Sequence, residues 1–256
     1  MHHSYLDKYS YIKSPIHRLD ARVKTITFLI FILFIIFTAP DYYLSFLIYG
    51  LILSILITLS KIPLRFVVTK TLVLVPFVLM IAVFIPFFKQ GEILAEFSFY
   101  GMKAEITGAG LIMFWAVIIK AYLSMLCVIL LISTTVFTSF LKALEKLYMP
   151  KVFIMIMSFM YRYIFIILDE LMKMNQAKLA RGAKNRGWFN VKVLSNMLGV
   201  LFVRAYEKGE NVYLAMNARG FQGDIRTLEQ FRITKFDIMF LIIIISCLSG
   251  IKIFAE

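Results

Sequence analysis

Two arginines stand out as residues whose type and setting could do chemistry, because each lies in the same tripeptide, Ala-Arg-Gly. The tripeptide occurs at Ala180, Arg181 and Gly182, and again at Ala218, Arg219 and Gly220. A guanidinium is a permanently charged, planar group whose paired donors match a carboxylate. Two such groups in equivalent settings predict two equivalent acceptors on other molecules.

Each tripeptide also stands where a helix is expected to end. Gly182 and Gly220 suit the left-handed position that follows a last helical turn, and an arginine one residue earlier complements the negative end of the helix dipole. This structural explanation accounts for either copy alone. Because both copies end the two amphipathic helices of one segment, we favour a shared binding role for them.

The glycines at 182 and 187 have the spacing of a phosphate-binding loop, but the residues that follow do not fit one. Trp188 and Phe189 occupy the positions where such a loop needs Lys and Ser or Thr to hold phosphates and magnesium. No predicted strand precedes these glycines either. The sequence therefore argues against nucleotide binding by this chain, and we predict no cofactor.

The composition of the 256 residues is that of an integral membrane protein. Hydrophobic residues make up 61% and aromatic residues 16%, yet the formal net charge is +13, a combination that a soluble domain of this length would not tolerate. Cys127 and Cys247 each lie in an apolar run, which predicts packing residues without a disulfide framework or metal site. The polar, basic amino terminus lacks the apolar core of a cleaved signal peptide, so we expect it to remain in the mature chain.

Five stretches reach the roughly 20 apolar residues that a membrane-spanning helix needs. They are residues 23–39, 42–60, 66–88, 110–137 and 236–254. A sixth stretch, 152–168, is at the short limit, contains Arg162 and follows Pro150. Lys and Arg near span ends can decide its assignment, because they favour the cytoplasmic side.

With five spans, one side of the membrane holds 24 of the 28 Lys and Arg residues, distributed over 1–24, 61–70 and 139–235. A crossing by 152–168 would move twelve of these charges to the opposite side. We therefore place the amino terminus and 139–235 in the cytoplasm, with 152–168 against the membrane underside or other helices.

The pattern within 139–235 is amphipathic. Helices over 152–181 and 193–219 would be about 45 Å and 40 Å long at 1.5 Å per residue. One face of the first helix is expected to pack and the other to meet water. The packing face contains Leu168, Leu171, Met172, Asn175 and Leu179, and the opposite face contains Asp169, Glu170, Lys173, Gln176 and Lys178.

The predicted fold is therefore an all-α integral membrane protein with about five transmembrane helices and a cytoplasmic platform of long amphipathic helices. Residues 1–138 form an amino-terminal tail and four transmembrane helices. Residues 139–235 form the cytoplasmic segment, and residues 236–256 form the last transmembrane helix.

Three further residues could carry function. Lys120 is a charge in the fourth span, where it either serves function directly or extends its stem to the interface or to carbonyls between helices. His2 and His3 are placed in the cytoplasm without a carboxylate or cysteine cluster beside them. We predict no metal site and no catalytic residue.

Two other classes of protein deserve comparison. A membrane enzyme would need clustered Asp, His or Glu in or near the spans, and the 15 acidic residues and 3 histidines form no such pattern. A basic protein that binds nucleic acid or anionic lipid would explain the charge, but not two matched helix ends. We predict the lipid bilayer as a partner and no nucleic acid.

Three segments resemble the transmembrane T components of energy-coupling factor (ECF) transporters, the CbiQ and EcfT proteins. They are YSYIKSPIHRLDARVKTITF, YRYIFIILDELMKMNQAKLARG and LFVRAYEKGENVYLAMNARGFQGDIR. The resemblance covers nearly the whole chain, and the last segment is more similar to the CbiQ branch, which serves cobalt and related metals. One departure is Ala21, where the family often has proline before the arginine that corresponds to Arg22.

The resemblance implies a non-catalytic coupling subunit. A separate S component, CbiM-like with or without a small CbiN-like subunit, would bind the substrate, and two ABC-type ATPase subunits would hydrolyse ATP. The family's two Ala-Arg-Gly ends dock on the ATPases, which here implies that role for Ala180, Arg181, Gly182, Ala218, Arg219 and Gly220. Closeness of branch favours cobalt as the substrate, with nickel or a vitamin as alternatives.

Overall fold

The long apolar runs of the sequence fold as helices, since a helix bonds its backbone groups within one segment and so tolerates an apolar surrounding. The computed structural model describes residues 9–255 apart from 11, 13, 90–92, 100–101, 183–187 and 224–233. The helices are α1 (Ala21–Phe37), α2 (Tyr43–Ser60), α3 (Leu64–Leu72), α4 (Val75–Ala82), α5 (Ile85–Phe88), α6 (Gly108–Thr134), α7 (Phe137–Lys146), α8 (Lys151–Ala180), α9 (Trp188–Ala218) and α10 (Lys235–Ala255).

Five of these described segments are long and apolar enough to cross a membrane. They are Tyr43–Ser60, Leu64–Ala82, Gly108–Thr134, Lys151–Ala180 and Lys235–Ile253. Four coincide with predicted spans, and the predicted class of all-α integral membrane protein is confirmed. The predicted first span corresponds to α1, whose 17 residues are at the lower end of the range of about 17–25 for a spanning helix.

The predicted span 66–88 is not one continuous helix. It is divided into α3, α4 and α5, and Pro76 and Pro86 are the second residues of α4 and α5. Proline lacks a backbone N–H and collides with the preceding turn, so it is accommodated at the start of a helix and not in its interior.

A β-hairpin precedes α6, where the sequence analysis expected a loop. Its strands are β1 (Ile93–Phe99) and β2 (Met102–Thr107). They pair antiparallel, with Ser98 opposite Lys103 and a register shift between Ile93 and Ala95. Because every candidate span is helical, this short hairpin leaves the fold class unchanged.

The described residues form two units, which we name the membrane unit (9–143 and 234–255) and the platform unit (144–223). In the membrane unit, α6 packs against α1, α2, α3, α4 and α5, and α10 packs against α1 and α2. Fully buried side chains at its centre include Phe31, Tyr49, Leu130 and Leu248. The core therefore joins helices from both ends of the sequence.

Cys127 and Cys247 differ in their surroundings. Cys127 is fully buried in the core of the membrane unit, as predicted. Cys247 is exposed, so its prediction as a packing residue is wrong. The reason is the rotation of α10, which directs the adjacent Leu248 into the core instead.

In the platform unit, α8 has 30 residues and α9 has 31, which gives rods of about 45 Å each at 1.5 Å per residue. The face of α8 that was predicted to pack is largely exposed, with Leu168, Met172 and Leu179 at 38%, 46% and 56% exposure. Conversely, Lys178 of the predicted water face is 8% exposed. Periodicity identifies an apolar face, but it does not say which stripe the neighbouring helix covers.

Candidate coupling motifs at two helix ends

The first Ala-Arg-Gly lies at the end of α8. Arg181 is the residue that follows the last helical position, and its N–H donates to the carbonyl of Ala177 at 3.2 Å. Gly182 has φ of 74°, and its N–H donates to the carbonyl of Leu179 at 3.0 Å. The helix thus ends through a left-handed glycine that satisfies one of its last carbonyls.

The second Ala-Arg-Gly ends α9 with the same glycine bond. Gly220 has φ of 76°, and its N–H donates to the carbonyl of Asn217 at 2.9 Å. The N–H of Phe221 then reaches back to the carbonyl of Met216 at 3.1 Å. These two bonds define a Schellman motif, and the glycine bond is the one that both helix ends share.

Both glycines are required by backbone conformation and not by lack of space. A Cβ atom built on Gly182 or Gly220 would meet no heavy atom within 4 Å. An L-residue with a side chain is disfavoured at these φ values because its Cβ comes too close to the following carbonyl oxygen. The prediction of left-handed glycines at the two helix ends is therefore confirmed.

All six motif residues are exposed at the surface of the platform unit. Arg181 and Gly182 also line a groove of about 550 Å³ between the end of α8 and the first half of α9. The groove includes Lys178, Met197 and Arg204. The two arginines are thus displayed at the ends of long helices, where another molecule can reach them.

The sequence analysis missed an ion pair between α8 and α9. Arg204 donates from Nη1 to Oε1 of Glu170, and the two side chains are 54% and 24% exposed. Each charge was visible in the sequence, but 34 residues separate them and no local pattern identifies the partner. The pair holds the two long helices together between their motif-bearing ends.

Lys120 bonds to a carbonyl between helices, which is one of the alternatives considered for it. Its Nζ donates to the carbonyl of Ile36 at 2.9 Å and lies 5.9 Å from the ring centre of Phe46. Ile36 is in the last turn of α1, where carbonyls have no partner within their own helix. Lys120 therefore satisfies a carbonyl at the end of α1.

The amino-terminal segment begins α1 with a side-chain cap. The Asp20 carboxylate accepts from the N–H of Arg22 at 2.9 Å, so Ala21 is the first helical residue. Proline is favoured at that position because its missing N–H would have had no partner there. Ala21 therefore occupies a helix position that a proline would also fit.

His17, in the turn before α1, is held on both ring nitrogens. Its Nδ1 lies 2.7 Å from Oγ of Ser14 and its Nε2 lies 3.0 Å from the carbonyl of Tyr9. Burial lowers the pKa of His17, because the charged imidazolium loses its hydration. The ring is a structural element of this turn.

No group of three His, Cys, Asp or Glu residues among those described is arranged to hold a metal ion. His2 and His3 lie outside the described residues, as does the glycine at 187. Trp188 and Phe189 are the first two residues of α9.

The helical segments long enough to cross a membrane define a multi-helix membrane protein that displays two arginine-bearing helix ends. Residues 12–230 match the family model CbiQ, described as cobalt transport protein. This chain belongs to the CbiQ/EcfT family of transmembrane T components of ECF transporters. It is accordingly a membrane component of a transporter.

Relatives come from archaea and bacteria. A putative fused cobalt transport protein CbiMQ of Methanocorpusculum labreanum is 30% identical over 83% of this chain and 36% of its own length. The energy-coupling factor transporter transmembrane protein EcfT of Bacillus subtilis is 28% identical over 85% of this chain and 84% of its own. An uncharacterized protein of Methanocaldococcus jannaschii is 28% identical over 93% of this chain and 82% of its own length.

Proposed function

We propose that this chain is the coupling subunit of an ATP-driven ECF importer, and that Arg181 and Arg219 each engage one ABC-type ATPase subunit. The observation that carries the proposal is the repetition of one exposed helix end, with an arginine followed by a left-handed glycine, at both long helices of the platform unit. Two equal ends suit two similar partners. ATP hydrolysis belongs to those partners and not to this chain.

The physical basis is the combination of a fixed backbone and a forked cation. Each glycine bond ends the helix at a defined residue, so the preceding arginine leaves the helix in a defined direction. A guanidinium can then form paired hydrogen bonds with a carboxylate of the partner. Because a helix about 45 Å long is stiff, a displacement of its end moves the whole element.

The platform unit would face the cytoplasm, where ATP is available. The charge distribution supports this orientation, since 24 of the 28 Lys and Arg residues are then cytoplasmic. α8 would lie along the inner face of the membrane or against other helices. The chain would be a multi-pass protein of a prokaryotic cell membrane, with its amino terminus inside.

Substrate recognition would belong to a separate S component, for which a CbiM-like protein is the best candidate. A relative whose name contains both CbiM and CbiQ and refers to cobalt transport supports this choice, as does the description of the matching family model. We therefore propose cobalt as the imported substrate. The EcfT relatives keep a different substrate, such as nickel or a vitamin, as the second candidate.

The coupling proposal is tested with the double variant Arg181→Ala, Arg219→Ala, coexpressed with the ATPase and S-component genes. Loss of one partner of a desolvated, hydrogen-bonded charge pair typically costs about 2–5 kcal/mol. We expect the double variant to lose copurifying ATPase subunits and ATP-dependent uptake, and each single variant to weaken them.

The matched control is Lys173→Ala, Lys192→Ala, which removes two exposed positive charges from the same two helices. This control should assemble and transport like the parent. If the double arginine variant also does so, the two motifs only end their helices and the coupling proposal fails.

The substrate proposal is tested by cellular metal content. Cells that express this chain with its genomic neighbours should accumulate Co²⁺ in an ATP-dependent manner, and cells that lack the ATPase genes should not. Accumulation of Ni²⁺ alone would reassign the metal. Uptake of a vitamin without metal accumulation would move the chain to the shared T components of vitamin importers.

A further inference from the structure

Residues 14–24 form hydrogen bonds at two places in the membrane unit. One is the end of α6, where the chain continues toward the 139–235 segment, and the other is the start of α10, where the chain returns from that segment. Thr134 is the last residue of α6, and the chain leaves the membrane unit farther on, after Ala143. Asp237 is in the first turn of α10, where the chain has returned. Side-chain hydrogen bonds join both residues to the segment 14–24, which we name the amino-terminal bracket.

The leaving connection is held by Lys24. Its Nζ donates to the carbonyl of Thr134 at 2.8 Å, and both residues are 2% exposed. The acceptor is the last carbonyl of α6, which has no partner within its own helix. An ammonium group at that position also complements the negative end of the helix dipole, so the bond fixes α1 to the end of α6.

The returning connection is held by Asp237. Its Oδ1 accepts from the N–H of Asp20 at 3.0 Å, and its Oδ2 accepts from the N–H of Thr234 at 2.7 Å. Asp237 is 3% exposed and Asp20 is 9% exposed. One carboxylate therefore joins the start of α10 to the residue that caps α1.

The charges of the bracket are coupled to one another within the membrane unit. The carboxylates of Asp20 and Asp237 both interact electrostatically with the Lys24 ammonium. Buried charges of this kind are stable when they keep all their partners, and removal of one partner leaves an uncompensated charge. Such a network resists sliding of one helix end against another.

A cavity of about 280 Å³ adjoins these contacts. Its lining includes Lys24, Asp20, Thr134 and Ser139, all within the membrane unit. The hydrogen-bonded side chains thus form the polar wall of a space at the point where α6 continues into α7. α1 itself packs against both α6 and α10.

We propose that Lys24 and Asp237 are positioning residues that tie both chain connections of the 139–235 segment to α1, so that a movement of that segment reaches α1, α6 and α10 together. The inference rests on the proposed coupling function. It assigns the amino-terminal bracket a role in transmission, separate from ATPase docking at Arg181 and Arg219. Loss of either contact would let the segment move without the membrane helices.

Lys120 provides a matched control because it makes the same kind of bond elsewhere. Like Lys24, it donates to a terminal carbonyl of a neighbouring helix, in this case that of Ile36 at 2.9 Å. It joins the same two helices, α1 and α6, but at the opposite end of α1. If the loss of any lysine–carbonyl bond between α1 and α6 were enough to impair coupling, Lys24→Met and Lys120→Met would therefore impair it equally.

The experiment compares Lys24→Met, Asp237→Ala and Lys120→Met in the complex with its ATPase and S-component subunits, reconstituted in vesicles. The measurements are retained ATPase subunits, ATP hydrolysis and Co²⁺ imported per ATP hydrolysed. A readout independent of the cargo is the ATP dependence of maleimide labelling of the variant Lys235→Cys, at the exposed start of α10, on a background without Cys127 and Cys247.

We expect Lys24→Met and Asp237→Ala to retain the ATPases and to hydrolyse ATP. Because each change leaves a buried charge without its partner, Co²⁺ import per ATP should fall about tenfold or more, and the ATP dependence of labelling at position 235 should disappear. Lys120→Met should keep both properties.

The inference is overturned if Lys24→Met and Lys120→Met behave alike, if both bracket variants couple like the parent, or if both fail to accumulate in the membrane, which would indicate a folding role. A parent complex without ATP-dependent labelling at position 235 would also overturn it. Failure of the proposed function is distinguishable, because the parent chain itself would then retain no ATPase subunits.

Discussion

Gly182 and Gly220 perform the same backbone task at two ends of the platform unit. Their φ values of 74° and 76° lie in the left-handed region, where glycine has no steric penalty. Since nothing occupies the space around either Cα, the cost of a substitution comes from the backbone alone. Asparagine, which also tolerates this region, is therefore expected to be the mildest replacement.

We expect Gly220→Ala to destabilise the end of α9 by about 1–2 kcal/mol and to weaken ATPase copurification, whereas Gly220→Asn should do so less. Gly199 lies inside α9 with equally open surroundings. Gly199→Ala should therefore stabilise the helix by up to about 1 kcal/mol. Thermal unfolding in detergent measures both changes. A shift of the same sign for Gly199→Ala and Gly220→Ala would show that φ is not the constraint.

At the scale of elements, α8 and α9 are joined by Glu170 and Arg204, and the apolar side chains of α8 are exposed or half-buried apart from Ile154. Because α8 and α9 bury few residues against each other, the way they pack together depends on specific contacts such as this ion pair. The Arg204 side chain is 54% exposed, so solvent screens the pair and its energy is modest.

We predict that reversing both charges of this pair restores the stability that each single reversal removes. Glu170→Arg and Arg204→Glu should each lower the stability of the α8–α9 contact by up to about 1 kcal/mol. The double reversal should recover much of that loss, and the recovery should shrink in high salt. A double-mutant cycle of thermal unfolding in detergent measures the interaction. Strictly additive effects would mean that the ion pair does not hold the helices.

At the scale of the whole molecule, the assignment of α8 decides the topology. Lys151–Ala180 is apolar enough to cross a membrane by length and composition. A crossing would, however, place twelve Lys and Arg residues on the outer side, against the usual cytoplasmic preference. The number of crossings thus determines on which side the motif-bearing helix ends lie.

Cysteine labelling in intact cells tests this orientation. On a background without Cys127 and Cys247, Ser98→Cys should react with a membrane-impermeant maleimide, because β1 precedes α6 on the predicted outer side. Asn190→Cys should react only after the cells are permeabilised. Labelling of position 190 in intact cells would mean that α8 crosses the membrane and would remove the motifs from the cytoplasm.

Several properties of this protein were predictable from the sequence because they depend on local composition and spacing. Apolar runs long enough to cross a bilayer must be helical, since their backbone groups have no other partners there. The glycines of the two tripeptides mark helix ends because their conformational freedom is a property of the residue itself. The family could be predicted from three segments that together carry both tripeptides.

Tertiary structure alone decided which distant groups meet. The sequence contains Lys120, Glu170 and Arg204, but it does not show that Lys120 bonds to the carbonyl of Ile36 or that Glu170 and Arg204 form an ion pair. The bond between Lys24 and Thr134 joins residues 110 positions apart, and no period of 3.6 residues encodes such a pairing. Periodicity likewise marked an apolar face on α8 but not the stripe that α9 covers. These contacts depend on how the helices pack in three dimensions, because each contact can form only in an arrangement that also accommodates the neighbouring elements at close packing.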